Sequence, residues 1–204
     1  MANKLCLFGG SFNPPHRTHE RIIRAALQQL PLRELIVLPS GCHPHKDDRT
    51  MAPAATRLEL CQLAFSHIEG VTVDDREIQR EGPSYTIDTL DEFIRAEPGT
   101  RPFYLIGSDN LPLLPTWRRH HDLLKKARLT IFPRDSFPIE AATLEGLDLH
   151  PSEREELLSN ILRVAPDNIS ATAIRSCLRD GDSLDQWLHP PVIERIRELG
   201  LYLS

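Results

Sequence analysis

The 204-residue sequence predicts an α/β fold: a doubly wound, mostly parallel sheet with helices on both faces and a small helical portion at the C-terminus. Short apolar runs alternate with stretches of helical periodicity, as repeated βα units require. The apolar runs carry little polar alternation, which suits strands buried on both faces. No run approaches the ~20 apolar residues of a membrane span.

The first strand is expected over Lys4–Phe8, running into the turn Gly9-Gly10-Ser11-Phe12-Asn13-Pro14-Pro15. A helix beginning near Pro15 follows, with Ile22, Ile23, Ala26, Leu27 and Leu30 at helical spacing and Pro31 as its stop. Leu35–Leu38 reads as the second strand, and after the polar loop 41–50 a helix spans Ala54–Phe65. Val71–Val73 is the third strand, Thr86–Ala96 a helix on Leu90, Phe93 and Ile94, and Phe103–Ile106 the fourth strand, stopping at Gly107. A helix near Arg119–Lys126 and a strand Leu129–Phe132 complete the alternation. The acidic, Pro-containing and poorly periodic stretch Pro133–Pro151 reads as a loop or variable insertion. Beyond it a helix over Glu153–Ile161, a short strand around Leu162–Val164 and two helices, Ala171–Arg179 and Pro191–Leu199, are expected. The chain is taken as one domain, with a core over 1–165 and the helical portion over 166–204. Crossovers in such a sheet are right-handed, and ligands sit beyond the carboxyl ends of the strands.

Composition narrows the function. Twenty-four Lys and Arg against 29 Asp and Glu give a net charge of −5, which argues against a general nucleic-acid binder. An anionic ligand must then be held by a local cluster of donors. Cys6, Cys42, Cys61 and Cys177 lie far apart without a C-x-x-C pair, and they read as reduced, mostly buried thiols rather than a disulfide framework. The apolar stretch ahead of Gly9 is too brief for the core of a signal peptide, so a cytoplasmic location is expected, with no membrane contact.

Several constellations are able to carry chemistry. Glycines at the carboxyl end of a strand let backbone N–H groups approach a phosphate, aided by the dipole of the next helix. Gly9-Gly10 alone is also an ordinary turn; it is neither G-x-G-x-x-G nor a P-loop. His16 and His19 stand three residues apart on the first helical turn and face the same way, at the end where anions are favoured. A metal there needs a third ligand, for which His43 and His45 are nearest. Ser170 and Thr172 sit at another helix start with Arg175 beyond, where a cap and an anion site can coincide. His45-Lys46 reads as a cationic flap or a solvated surface, and Ser84-Tyr85-Thr86 as a helix start. Asp109 ends a strand where it is placed either to cap a helix or to accept from ribose hydroxyls, and Trp117 is placed either in the core or to stack on a flat ring.

Gly9–His19 resembles the G-G-[TS]-F-[DN]-P-x-H-x-G-H signature of the adenylyltransferase superfamily, and Ile169–Arg175 resembles its I-S-x-T-x-I-R signature. Between them, Pro83–Leu90 and Ile106–Trp117 are similar to the bacterial nicotinate-nucleotide adenylyltransferases, so the likeness runs from residue 4 to 203. The usual glycine between the histidines is Thr18. The resemblance implies a Rossmann-like domain that transfers AMP from ATP to nicotinate mononucleotide by direct in-line attack, with magnesium accompanying ATP. It implies His16, His19 and Arg175 as the catalytic residues, and Gly9, Gly10, Ser11, Phe12, Ser170, Thr172, Arg134 and Asp109 on the ATP side. Lys46, Thr86 and Trp117 fall on the mononucleotide side, with no protein ligand set for a resident metal. Two alternatives stay open: a related adenylyl- or cytidylyltransferase with another phosphate acceptor, and a nucleotide-binding regulator with weakened catalysis. Oligomeric state is left open.

Overall fold

The computed structural model describes residues 4–41, 51–165 and 169–203. Five strands, β1 (Lys4–Gly10), β2 (Leu32–Pro39), β3 (Val71–Val73), β4 (Phe103–Gly107) and β5 (Arg128–Phe132), pair in parallel in the order β3-β2-β1-β4-β5. The order reverses at β1, so the crevice between the carboxyl ends of β1 and β4 is the topological switch point. Strand periodicity explains how two cores form. On β1, Cys6 and Phe8 face one layer, while Leu5 and Leu7 face the other.

The first layer holds α1 (Arg17–Gln29) and α2 (Ala54–Phe65), which cross between the strands of the first half. The second holds α4 (Thr86–Ala96) and α5 (His120–Lys126), which follow β3 and β4. A single turn, α3 (Arg76–Gln79), precedes α4. After β5 the chain adds α6 (Ala141–Glu145) and α7 (Pro151–Ser159) to the second layer through Leu144 and Leu157. It then crosses to the first layer, where Ile174 and Leu178 of α8 (Ala171–Asp180) and Val192, Ile193 and Ile196 of α9 (Pro190–Glu198) join the core. That crossing carries residues 169–172 past the sheet's carboxyl edge.

The predicted strand around Leu162–Val164 is reduced to one parallel bridge, Ile161 to Ile131. The stretch expected to be a loop contains α6, whose Leu144 is buried in the second core layer, and α7 begins at Pro151 with that proline in its first turn. Residues 108–116 form a 3₁₀ stretch interrupted by Pro112 and Pro115, which no simple periodicity reveals.

Gly9 has a packing reason to be glycine: a Cβ there would lie 2.3 Å from the hydroxyl oxygen of Tyr104. Tyr104, the second residue of β4, is buried with its ring packed in the second core layer, which restricts its retreat. Gly9→Ala is therefore expected to cost about 1–3 kcal/mol. Adding Tyr104→Phe removes the obstructing oxygen and should recover part of the loss in urea denaturation. An alanine variant as stable as the parent would contradict the packing.

Candidate active site

The carboxyl ends of β1 and β4 open into a cleft of about 780 Å³, the size of a small-molecule site. One wall is the loop after β1 with the start of α1, a second is Ile169–Thr172 at the start of α8, and a third is the 3₁₀ stretch with Arg134.

His16 occupies the N-cap of α1 in extended backbone and is 2% exposed. Its ring lies 3.7 Å, centroid to centroid, from that of His19, one turn on. The His16 backbone N–H donates to His19 Nδ1 at 3.1 Å, so a neutral His19 carries its proton on Nε2 and remains a donor. Phe12 packs edge-on against the His19 ring at 4.9 Å, with Phe8 behind it. Burial lowers the His16 pKa to about 3, assisted by the charges of Arg134 and Arg21. Its buried Nδ1 has no hydrogen-bond partner among the described residues, an atom that a ligand oxygen would satisfy.

A histidine held neutral in this way has a stability signature. Its folded pKa lies below the ordinary 6.5, so the unfolded chain takes up the proton first as pH falls. The contribution is present in full above pH 6.5 and is lost progressively toward pH 3. His16→Gln is expected to flatten the fall of Tm over that window, and parallel curves for variant and parent would contradict it.

At the second wall, Ser170 caps α8 by accepting from Ala173 N at 3.1 Å. Arg175 does not line the cleft: its Nη1 donates to Asn13 O at 2.8 Å and its Nη2 to Thr172 Oγ1 at 3.2 Å. It thus clamps the two helix starts together, and burial holds its pKa below the usual guanidinium value. On the third wall, Arg134 stands over the Phe132 ring with its Nε 3.8 Å from Asp109 Oδ1. Gly107 lets that carboxylate fold back, because a Cβ there would meet Asp109 Oδ1 at 2.1 Å. Asp109 does not cap the 3₁₀ stretch, whose N-cap is Gly107 without a side-chain cap hydrogen bond; the Ser108 hydroxyl donates to Phe137 O and accepts from Arg134 N, pinning the turn that carries the arginine.

Of the residues singled out from the sequence, Gly9, Gly10, Ser11, Phe12, His16, His19, Asp109, Arg134, Ser170, Thr172, Thr86 and Trp117 all line this one cleft. Lys46, His43 and His45 lie outside the described residues. Thr18 is buried and is not part of the lining, so the β-branched residue at the motif glycine does not crowd the cleft. Thr18→Gly is accordingly expected to leave turnover within a factor of about three while costing about 1 kcal/mol of stability. A steep loss of turnover at full stability would show that the threonine acts on the ligand.

Three further residues went unread. Arg57, 1% exposed, donates to the carbonyls of Ala52, Ser11, Ser40 and Gly41 and so ties the loop after β1 to the end of β2. Asn13 accepts from Ala52 N and from the Tyr202 hydroxyl through its side chain. Glu77, on α3, lines the cleft, accepts from Thr89 Oγ1 at 2.8 Å, and has its pKa raised by burial. A polar residue on a helical turn gives no periodic signal that distinguishes such roles from exposure.

The sheet and the cleft are those of an α/β nucleotidyltransferase-type protein, with two helix starts among the walls of the cleft. Consistent with this, residues 7–177 match the family model described as cytidylyltransferase-like. The chain is 37% identical to the "Probable nicotinate-nucleotide adenylyltransferase" of Albidiferax ferrireducens, over 98% of each chain. It is 39% identical to the protein of the same name from Laribacter hongkongensis, covering 97% of this chain and 94% of that one. The chain belongs to the nicotinate-nucleotide adenylyltransferases, within the cytidylyltransferase-like family. In fold it matches a Plasmodium falciparum nicotinic acid mononucleotide adenylyltransferase complexed with NaAD, with a TM-score of 0.78 at 19% identity over 98% of this chain and 97% of that one.

Proposed function

We propose that the enzyme transfers AMP from ATP to nicotinate mononucleotide, releasing pyrophosphate and forming deamido-NAD, a step of NAD biosynthesis. The carrying observation is that His16, His19, Ser170 and Thr172, from two helix starts more than 150 residues apart, line one cleft at the switch point. An oxygen of the acceptor's phosphate attacks the α-phosphorus of ATP in line, the bond to the bridging oxygen breaks, and pyrophosphate leaves with its electron pair. Such a transfer needs positioning and charge stabilisation rather than a protein nucleophile.

In this reading the His19 Nε2–H and the unsatisfied His16 nitrogen face phosphate oxygens, and the N-terminal end of α8 with Ser170 and Thr172 receives the leaving pyrophosphate. Arg134 adds a positive charge held over Phe132, while Arg175 acts by holding Thr172 and the Asn13 loop in register. Asp109 is suited to ribose hydroxyls. The mononucleotide lies toward Tyr85, Thr86, Trp117 and Arg118, which line the far end of the cleft; Arg118 brings a cation there. The Tyr104 phenol beneath them is pushed up in pKa by burial and stays protonated.

Magnesium, expected with ATP, prefers oxygen ligands and keeps several waters. The cleft offers hydroxyls and two lining aspartates, Asp109 and Asp135, so its residues fit an ion held chiefly by the triphosphate. The ion would neutralise charge on the departing pyrophosphate. A cytoplasmic location is part of the proposal, supported by Cys6 and Cys61 being buried free thiols. Among the described residues no helix is long and apolar enough to cross a membrane.

Thr18 motivated the regulator alternative, and its position outside the lining removes none of the donors named above. The test is incubation with ATP, magnesium and nicotinate mononucleotide while pyrophosphate and deamido-NAD are followed. Both products in equal amounts are expected. ATP binding without turnover would overturn the proposal in favour of a regulator, and turnover only with another phosphate acceptor in favour of a relative.

A further inference from the structure

A second cluster of metal-ligating side chains lies outside the cleft, where the first turn of α5 meets the loop before α7. His121 Nε2 is 3.8 Å and His120 Nε2 is 4.0 Å from the same oxygen, Asp148 Oδ2. Each of the three residues offers a ligand atom within 4.8 Å of those of the other two, and none of the three lines the cleft. The other nitrogen of His121, Nδ1, is 3.2 Å from both oxygens of Glu153. Glu153 is itself fixed by accepting from the His150 backbone N–H at 2.8 Å, and its side chain is only 13% exposed. A carboxylate on the far nitrogen of a histidine sets the tautomer, with the proton on Nδ1 and the lone pair on Nε2. The neutral ring therefore turns a lone pair toward a carboxylate oxygen, two electron-pair donors face to face, and a cation between them would satisfy both.

We propose that this corner binds a zinc ion through His120 Nε2, His121 Nε2 and Asp148 Oδ2, with water as the fourth ligand and Glu153 as the positioning residue for His121. Two imidazoles and one carboxylate form a borderline donor set that favours zinc over magnesium or calcium. Tetrahedral bonds of about 2.0–2.2 Å place the donors roughly 3.3–3.6 Å apart. The observed 3.8 and 4.0 Å need closing by about half an ångström, and the Asp148 side chain, 82% exposed, is free to supply it. His120 Nε2 donates to Asp148 O at 3.3 Å, so zinc would take that nitrogen in the other tautomer, with the ring proton moved to Nδ1. A zinc there would cross-link the start of α5 to the segment entering α7. It would thereby brace the stretch that immediately follows Trp117.

The test is calorimetric titration of the untagged, chelator-stripped full chain with zinc chloride, with Tm recorded at each metal level. Wild type is expected to bind zinc at this corner and to gain Tm. Asp148→Asn, at an exposed position where folding is not at stake, should lose the binding and the Tm gain, as should His121→Ala. Glu153→Gln should weaken affinity by about 10-fold to 100-fold. His67→Ala, in the separate Glu20–His67–His189 cluster, should bind as wild type. The proposal is overturned if wild type takes up no zinc, if Asp148→Asn binds as tightly as wild type, or if the binding is lost instead in His67→Ala or His19→Ala.

Discussion

His19→Ala is expected to lower turnover by about two orders of magnitude or more while leaving the fold nearly intact. The ring is held by the His16 backbone N–H and by edge contacts with Phe12 and Phe8, so its Nε2 proton is aimed before any ligand arrives. A donor fixed in advance acts on charge that develops only as the bond to pyrophosphate breaks, and its loss should appear in kcat more than in KM. His19→Asn, which keeps a donor of shorter reach, should fall between the two. With His16 held neutral down to about pH 3, turnover should show no acid limb from that ring at ordinary assay pH. Steady-state kinetics and circular dichroism on the same preparations decide the matter. Turnover in the alanine variant within a few-fold of the parent would remove His19 from the reaction.

The largest effect on stability is expected at Arg57. Its guanidinium donates at 2.7–3.1 Å to four carbonyls, those of Ala52, Ser11, Ser40 and Gly41. Arg57→Ala leaves the Ala52 and Ser40 carbonyls buried without a donor and opens a void behind the loop after β1, a combination expected to cost about 3–5 kcal/mol. Against a total of about 5–15 kcal/mol that is a large share. Arg57→Lys should recover little, because a single ammonium cannot reproduce a planar fork reaching four acceptors. Because one acceptor is Ser11 O, in the cleft wall, affinity for ATP should fall together with stability. Urea unfolding gives the direct measure, and a loss below about 1 kcal/mol would show that water replaces the guanidinium without penalty.

Much of the sheet was legible because buried parallel strands are short apolar runs with sharp ends. Ala54–Phe65, Val71–Val73 and Thr86–Ala96 coincide with the expected limits. Elements held by tertiary packing alone left no such trace. The turn α3 is four residues long, and α6 owes its place to one buried leucine. At the cleft, the residue types that bind anions were readable from helix-start positions, and the lining brings His16, His19, Ser170 and Thr172 together. Why the glycines are there was not readable. Gly9 and Gly10 leave room for Tyr104 and Phe12, neighbours supplied by β4 and by the loop itself, and only coordinates reveal a missing Cβ's neighbour. Arg175 illustrates a related limit: spacing brought it to the correct corner, whereas its hydrogen bonds make it a clamp between Asn13 and Thr172.

The reversal of strand order at β1 has a consequence for how the enzyme can be divided. The polypeptide up to β3 contributes the histidine wall, and everything from α4 onward contributes the opposing walls, so neither portion alone contains a crevice. Two separately expressed pieces, severed in the exposed turn Glu81–Pro83, should each be inert and should regain catalysis only on mixing. Joint occupancy by both substrates is thereby made conditional on the whole chain having assembled.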